Sequence, residues 1–66
     1  MMTLRQYEEL KAGQILMNDD TAFELTSEHY AGGWYGFYLE YDDEAEDYKR
    51  DGREVLLTMN EIRKLG

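Results

Sequence analysis

The chain has 66 residues, a formal net charge of −8, 42% hydrophobic residues, no cysteine and one histidine. This length allows one domain, residues 1–66, and the composition excludes disulfides and cysteine–histidine zinc sites, which stabilise many domains of this size. The negative charge disfavours direct binding to nucleic acid or to an anionic membrane, and the chain is too hydrophobic to read as disordered.

The first predicted element is a short helix over about residues 4–11. Thr3 and Gln6 have the spacing of a capping box at its start, and Gly13 is placed to end it. The apolar side chains that recur at helical spacing are Leu4, Tyr7 and Leu10. This helix is expected to bury one face and to leave its acidic side chains in solvent.

Five strands are predicted after the helix, at residues 14–17, 22–30, 34–41, 47–50 and 53–57. Ala31-Gly32-Gly33 fits a three-residue hairpin loop, and Asp51-Gly52 is a preferred two-residue hairpin turn. Thr58 and Glu61 then open a C-terminal helical turn. These elements predict a mainly β, α+β domain, which is a small antiparallel β-barrel or curved sheet of about five strands with a short N-terminal helix and a C-terminal helical turn.

Pairing Tyr30 with Trp34 in the first hairpin divides its side chains between two faces. The predicted core face consists of Phe23, Leu25, Tyr35, Phe37, Leu39 and Tyr41. The predicted second face consists of Glu24, Thr26, Glu28, Tyr30, Trp34, Gly36, Tyr38 and Glu40. Two alternatives stay open for the rings of the second face: they are exposed and bind a partner, or they pack beneath a helix.

Three segments resemble Src-homology-3-like barrels; the last of them, Gly52 through Leu65, is similar in placement to that family's closing strand and short helix. The run Lys11-Ala12-Gly13-Gln14-Ile15-Leu16 is similar to the glycine-containing entry into that family's second strand, and Gly33-Trp34-Tyr35-Gly36-Phe37-Tyr38-Leu39 is similar to its Gly-Trp-Trp-x-Gly-x-Leu strand. The resemblance implies the architecture, and it implies Trp34 and Asn60 as ligand-facing residues. The chain departs from the family in having no proline, a helix in place of the aromatic first segment, and Tyr35 in place of the second tryptophan.

No catalytic, metal or cofactor site is predicted. Ser27 and His29 share a strand face, but no glycine-rich elbow accompanies them. The acidic run of residues 40–47 lacks the alternating Asp/Asn spacing and the central glycine of a Ca²⁺ loop. We therefore expect a cytoplasmic protein that is not an enzyme, without a signal peptide or a membrane span.

The charge distribution predicts how such a protein would act. Residues 12–48 contain ten acids and no lysine or arginine, so this stretch would attract a basic protein surface while the rings anchor it. The predicted partner-binding residues are Glu24, Glu28, Tyr30, Trp34, Tyr38, Glu40, Asp42, Asp43, Glu44, Glu46 and Asp47.

The leading hypothesis is therefore a non-catalytic acidic interaction module. In a more specific version it mimics nucleic acid and inhibits a DNA- or RNA-binding protein; in charge and size it resembles small acidic anti-CRISPR and anti-restriction inhibitors of phages and mobile elements. The alternatives are a small-barrel recognition module for a peptide or small ligand, built on Trp34, Tyr30 and Tyr38, and a homo-oligomerising accessory protein.

Overall fold

A computed structural model describes residues 1–66 as four antiparallel strands in one sheet with two short helices. The elements in chain order are α1 (Leu4–Glu8), β1 (Ile15–Met17), β2 (Ala22–Glu28), β3 (Trp34–Asp42), β4 (Asp47–Leu57) and α2 (Met59–Leu65). The strand order is β1-β2-β3-β4, so every connection between neighbouring strands is a hairpin. Neither helix has the length and apolar character needed to cross a bilayer.

Both predicted capping boxes are present. At α1 the Thr3 hydroxyl accepts from the Gln6 backbone N–H, and the Gln6 side chain accepts from the Thr3 N–H. Thr58 and Glu61 make the same reciprocal pair at α2. The first helix is shorter than predicted and ends at Glu8, because the chain turns away so that the Gly13 N–H can donate to the Leu25 carbonyl at 2.7 Å.

The core lies between the helices and one face of the sheet, which we call the inner face. Its eight clustered side chains are Met2, Leu10, Leu16, Phe23, Leu25, Trp34, Leu57 and Ile62. Phe23, Leu25 and Ile62 are fully buried. The Tyr7 hydroxyl accepts from the Gly33 N–H at 2.7 Å and ties α1 to the β2–β3 loop. The opposite face of the sheet, the outer face, is not covered by either helix.

The predicted pairing of β2 with β3 is wrong by three residues. Phe23 lies opposite Tyr38 instead of Tyr41, and Leu25 lies opposite Gly36 instead of Leu39. Side chains alternate with a period of two, so this odd shift moves every β3 side chain to the other face. Trp34, Gly36 and Tyr38 therefore point inward, and the predicted core residues Tyr35, Phe37, Leu39 and Tyr41 point outward.

Steric fit between Phe23 and Gly36 explains this register. A Cβ placed on Gly36 would meet the Glu24 carbonyl oxygen and would lie 2.6 Å from Cε2 of Phe23. The missing side chain of Gly36 is thus the space that the Phe23 ring fills. The loop between these strands spans residues 29–33 instead of three residues, and the His29 N–H donates to the Gly33 carbonyl at 3.0 Å.

The prediction of a second hairpin at Asp51-Gly52 is also wrong. Both residues lie inside β4, where Gly36 pairs with Val55 and Tyr38 with Asp51, so that residues 52–54 bulge opposite Phe37. Gly52 has a φ of +76°, and this left-handed conformation forms part of the bulge and not of a hairpin turn. The last two predicted strands are therefore one, and since β1 and β4 are both edges, the sheet is open and not a barrel.

Candidate interaction surfaces

The acidic side chains converge at one end of the sheet. The β1–β2 turn and the tip of the β3–β4 hairpin lie at the same end, because β1 runs antiparallel to β2 and β3 to β4. We call this region the acidic end. Its nine carboxylates belong to Asp19, Asp20, Glu40, Asp42, Asp43, Glu44, Glu46, Asp47 and Asp51. This is most of the negative charge of a chain with fifteen acids.

Few positive charges offset these carboxylates. Lys49 approaches Asp42 with its Nζ 4.0 Å from the carboxylate oxygen; the Lys49 side chain is exposed and that of Asp42 is partly exposed. The other nearby base, Arg50, is bound to Glu24 by an Nε–Oε1 contact of 2.8 Å. Exposed pairs at such distances contribute little energy, so the acidic end keeps a strong negative field.

The hairpin tip is held in a definite shape. The Asp42 carboxylate accepts hydrogen bonds from the backbone N–H groups of Glu44 at 3.0 Å and Ala45 at 3.4 Å, which is the side-chain turn that aspartate favours. Glu46 adopts a φ of +53°, in the left-handed region. The carboxylates of the turn are thus carried on an ordered hairpin.

The two faces of the tip differ in chemistry. Residues that pair directly share a face, so Glu40 and Asp42 of β3 lie with Asp47 and Lys49 of β4 on the inner-face side. The other side carries Tyr41 and Tyr48, whose rings meet edge to face at 5.3 Å. The tip therefore presents carboxylates in one direction and aromatic rings in the other.

A groove of about 420 Å³ separates the β1–β2 turn from the hairpin tip. It exists because β2 begins at Ala22, opposite Leu39, while β3 continues to Asp42 with only β4 beside it. Asp19, Asp20, Glu40 and Asp51 are among its lining residues. No three of the chain's His, Asp and Glu side chains are close enough together to form a candidate metal site.

The structure separates the predicted partner-binding residues. It gathers Glu40, Asp42, Asp43, Glu44, Glu46 and Asp47 at the acidic end. Glu28 ends β2 at the opposite end of the sheet, and Glu24 lies in mid-strand, paired with Arg50. The acidic residues predicted as a single set thus form one cluster and two outlying positions.

The three predicted rings do not form one surface. Trp34 is only 4% exposed, so of the two alternatives for this ring, exposed or buried, the buried one is correct. Its indole N–H has no hydrogen-bond partner. Tyr38 packs edge to face on Phe23 at 5.0 Å and remains 38% exposed. Tyr30 is 96% exposed, in the loop at the end opposite the hairpin tip.

The outer face is a second candidate surface, which the sequence reasoning missed because it assigned four of these side chains to the core. Five apolar side chains of this face are clearly exposed, by these fractions: Ile15 46%, Met17 49%, Tyr41 51%, Tyr48 43% and Leu56 43%. The remaining three, Tyr35, Phe37 and Leu39, are half-buried. The signal that could have revealed this face is that β3 has no charged residue at either odd or even positions between Trp34 and Leu39.

Arg50 and Glu24 lie at the centre of the outer face. The Arg50 guanidinium lies 4.3 Å above the centre of the Phe37 ring, while its Nε donates to the Glu24 carboxylate. Thr26 donates from its hydroxyl to Glu54 at 2.7 Å nearby. The charges of Arg50 and Glu24 are thus matched within the chain, whereas the Glu54 carboxylate is held by a neutral hydroxyl.

No family model matches the chain, and neither a curated protein nor a solved structure matches it. The function is therefore inferred from the fold and from these two surfaces.

Proposed function

We propose that this chain is a non-catalytic interaction module whose acidic end docks on a basic protein surface. The observation that carries the proposal is the convergence of the β1–β2 turn and the β3–β4 hairpin tip, which brings nine carboxylates to one end of the sheet. Only Lys49 lies among them as a weakly paired base.

The shape of the acidic end favours a protein partner with a concave basic surface. The tip is a narrow two-stranded hairpin that extends past the start of β2 at Ala22, and the molecule measures 37 × 21 × 16 Å between its Cα atoms. A projecting charged hairpin can enter a groove, and its field speeds diffusional encounter with an oppositely charged partner. The ordered tip also lowers the conformational cost of binding.

A more specific version of the proposal is mimicry of nucleic acid. A groove that binds DNA or RNA is lined by lysine and arginine and is occupied by a polyanion. The carboxylates of Glu40, Asp42 and Asp47 share one side of the hairpin and would face such a groove. Binding of the chain and binding of nucleic acid to the partner would then exclude each other.

The experiment compares two variants that lose the same charge. The first carries Asp43→Asn, Glu44→Gln and Glu46→Gln at the tip; the second carries Glu8→Gln, Glu9→Gln and Glu28→Gln away from it, and both change the net charge from −8 to −5. None of these six side chains makes a hydrogen bond or ion pair that holds the fold. The partner is captured from lysate on the immobilised chain and identified by mass spectrometry, and its association rate is then measured.

At low ionic strength we expect the tip variant to associate about tenfold more slowly than the unsubstituted chain, and the control variant to change by less than about threefold. Raising salt from about 50 mM to about 300 mM should slow the unsubstituted chain most. Equal slowing of both variants would show that total charge matters and the acidic end does not. If the partner bound this chain and nucleic acid at the same time, the mimicry version would be contradicted, and docking on a basic surface would still stand.

The ring-based alternative has less support. A recognition module built on Trp34, Tyr30 and Tyr38 requires these rings on a common exposed surface, and Trp34 is 4% exposed. The Trp34→Ala substitution would therefore unfold the core before it could report on a ligand.

A further inference from the structure

We propose that the outer face binds a second copy of this chain, forming a two-fold dimer in which two sheets pack face to face with their acidic ends at opposite ends. This goes beyond docking of a basic partner, which uses the carboxylates on the other side of the hairpin tip.

The composition of the outer face departs from that of a solvated sheet. An antiparallel sheet covered on one side normally alternates apolar inward with polar outward residues. Here the outward positions of β1 are Ile15 and Met17, and those of β3 are Tyr35, Phe37, Leu39 and Tyr41. Five of the ten large hydrophobic side chains that are exposed lie on this face. Such a concentration indicates a face that is covered in the working state.

The size of the molecule permits an interface of the area that a stable dimer needs. The two larger Cα extents of the whole molecule, 37 and 21 Å, limit the outer face to at most about 780 Å². A standard protein interface buries about 800 Å² on each partner. A second copy supplies a surface of the same size and the same apolar character, as a two-fold interface requires.

The total exposed surface supports the same conclusion. The chain exposes 4879 Å², whereas a monomer of its 7.8 kDa mass is expected to expose about 4,400 Å². A bare sheet face and a projecting hairpin tip both raise the exposed surface in this direction. Dimerisation through the outer face would cover the apolar side chains of that face.

Charge determines the orientation of the two copies. Each copy carries −8, so a dimer with adjacent acidic ends would be strongly repulsive. With the strands of the two copies antiparallel, the acidic ends lie apart by about the length of the molecule, well beyond the screening length of about 8 Å at physiological salt. At the centre of the face Arg50 binds Glu24 and covers Phe37, and the Glu54 carboxylate accepts a hydrogen bond from Thr26.

Pairing through the sheet edge is a less suitable route to a dimer. The long edge strand β4 carries Lys49, Arg50, Asp51 and Arg53, and it bulges at residues 52–54. Charged side chains and bulges are the features that prevent edge-to-edge pairing. The other edge, β1, has only three residues.

The test uses two matched pairs of lysine substitutions. Leu56→Lys on the outer face is 43% exposed and is matched by Met59→Lys on α2, which is 37% exposed. Ile15→Lys on the outer face is 46% exposed and is matched by Leu4→Lys on α1, which is 53% exposed. All four variants change the net charge by the same amount, and folding is verified for each by circular dichroism. Sedimentation equilibrium then measures the dimer dissociation constant.

We expect the outer-face variants to raise the dissociation constant by roughly 100-fold or more, since each substitution occurs twice in the dimer, and the helix variants to change it by less than about threefold. Added salt should change the dimer little, because the acidic ends already lie beyond the screening length, whereas it weakens docking on a basic partner. A monomer at every concentration and salt, or equal effects within both pairs, would overturn the dimer and leave the acidic-end proposal standing. A different protein seated on the outer face of a monomeric chain would overturn it as well.

Discussion

The inner and outer faces of this sheet are both rich in large apolar side chains, yet the helices cover only one of them. On the inner face Phe23 and Leu25 are fully buried. On the outer face Ile15 and Tyr41 remain about half exposed. Hydrophobicity alone therefore does not decide which side of a small sheet becomes the core.

Shape separates the two faces. The inner face combines the largest ring of β2, Phe23, with the absence of a side chain at Gly36 directly beside it. On the outer face the Arg50 guanidinium lies over the Phe37 ring, 4.3 Å from its centre, and no helix covers it. The inner face can exclude water by itself, whereas the outer face requires another surface. Four predictions break or sharpen this contrast.

The largest effect should come from Phe23→Ala. Removing a fully buried phenylalanine costs about 3–5 kcal/mol, because the cavity refills poorly, and a domain of this size has about that much stability in total. Phe37→Ala, on the outer face, should cost about 1–2 kcal/mol in the monomer, because its ring is only partly buried. Urea denaturation at low protein concentration measures both, and similar losses for the two substitutions would show that the faces contribute equally.

Gly36→Ala tests the steric origin of the contrast. The added methyl group would collide with backbone and with a buried ring, and overpacking of this kind costs about 1–3 kcal/mol. Gly52→Ala is the control, since no atom lies within 4 Å of its Cβ position and only its φ of +76° opposes the change; we expect about 1 kcal/mol for it. A Gly36 variant as stable as the Gly52 variant would contradict the proposed origin of the register.

The local features of this fold could be predicted from the sequence, since their causes lie within a few residues of chain. Both capping boxes depend on side chains three positions apart, Thr3 with Gln6 and Thr58 with Glu61. The left-handed conformation predicted for Gly33 in the hairpin loop is also confirmed, since its φ is +92°. The acidic cluster of the hairpin tip followed from the absence of bases along that stretch.

The register and the exposed face could not be predicted in the same way. The odd positions of β3 are all apolar or aromatic, whereas its even positions include Glu40 and Asp42, so a pattern of period two favours the wrong face as the core. Asp51-Gly52 satisfies a turn and a bulge alike, because each uses a positive φ at the glycine. The fit of Phe23 onto Gly36 joins residues on different strands, and only the assembled sheet shows it. The burial of Trp34 follows from that same pairing.

A smaller effect is expected from the ion pair on the outer face. The Arg50 Nε–Glu24 Oε1 contact is 2.8 Å with the side chains 54% and 26% exposed, whereas Lys49 and Asp42 are 4.0 Å apart. Double-mutant cycles of Arg50→Met with Glu24→Gln, and of Lys49→Met with Asp42→Asn, should give couplings of about 0.5–1 kcal/mol and near zero respectively. Equal couplings would show that the short contact does not fix the Arg50 guanidinium over Phe37.

The smallest effect concerns the helix layer that covers the inner face, and it depends on pH. The Thr58 backbone N–H donates to the Glu61 carboxylate at 3.0 Å, and this bond, aided by the Thr58 side chain and by Lys64, lowers the pKa of Glu61 below its ordinary value of 4.5. A carboxyl whose pKa is lower in the folded state stabilises the protein above its unfolded pKa, and that contribution is lost as pH falls through the folded pKa. The loss therefore begins near pH 4.5 and grows as the solution becomes more acidic.

Substitution of Glu61 by Gln isolates this contribution from that of the other carboxyls, because glutamine keeps the capping geometry without the charge. The unsubstituted chain should have the higher Tm at pH 6, and the difference in Tm should shrink as pH falls below about 4.5. The box at α1 provides the reciprocal variant, since Gln6 occupies the position equivalent to Glu61. Gln6→Glu should add a stabilisation that acid removes, and a difference in Tm that stays constant with pH in both variants would mean that neither cap gains from charge.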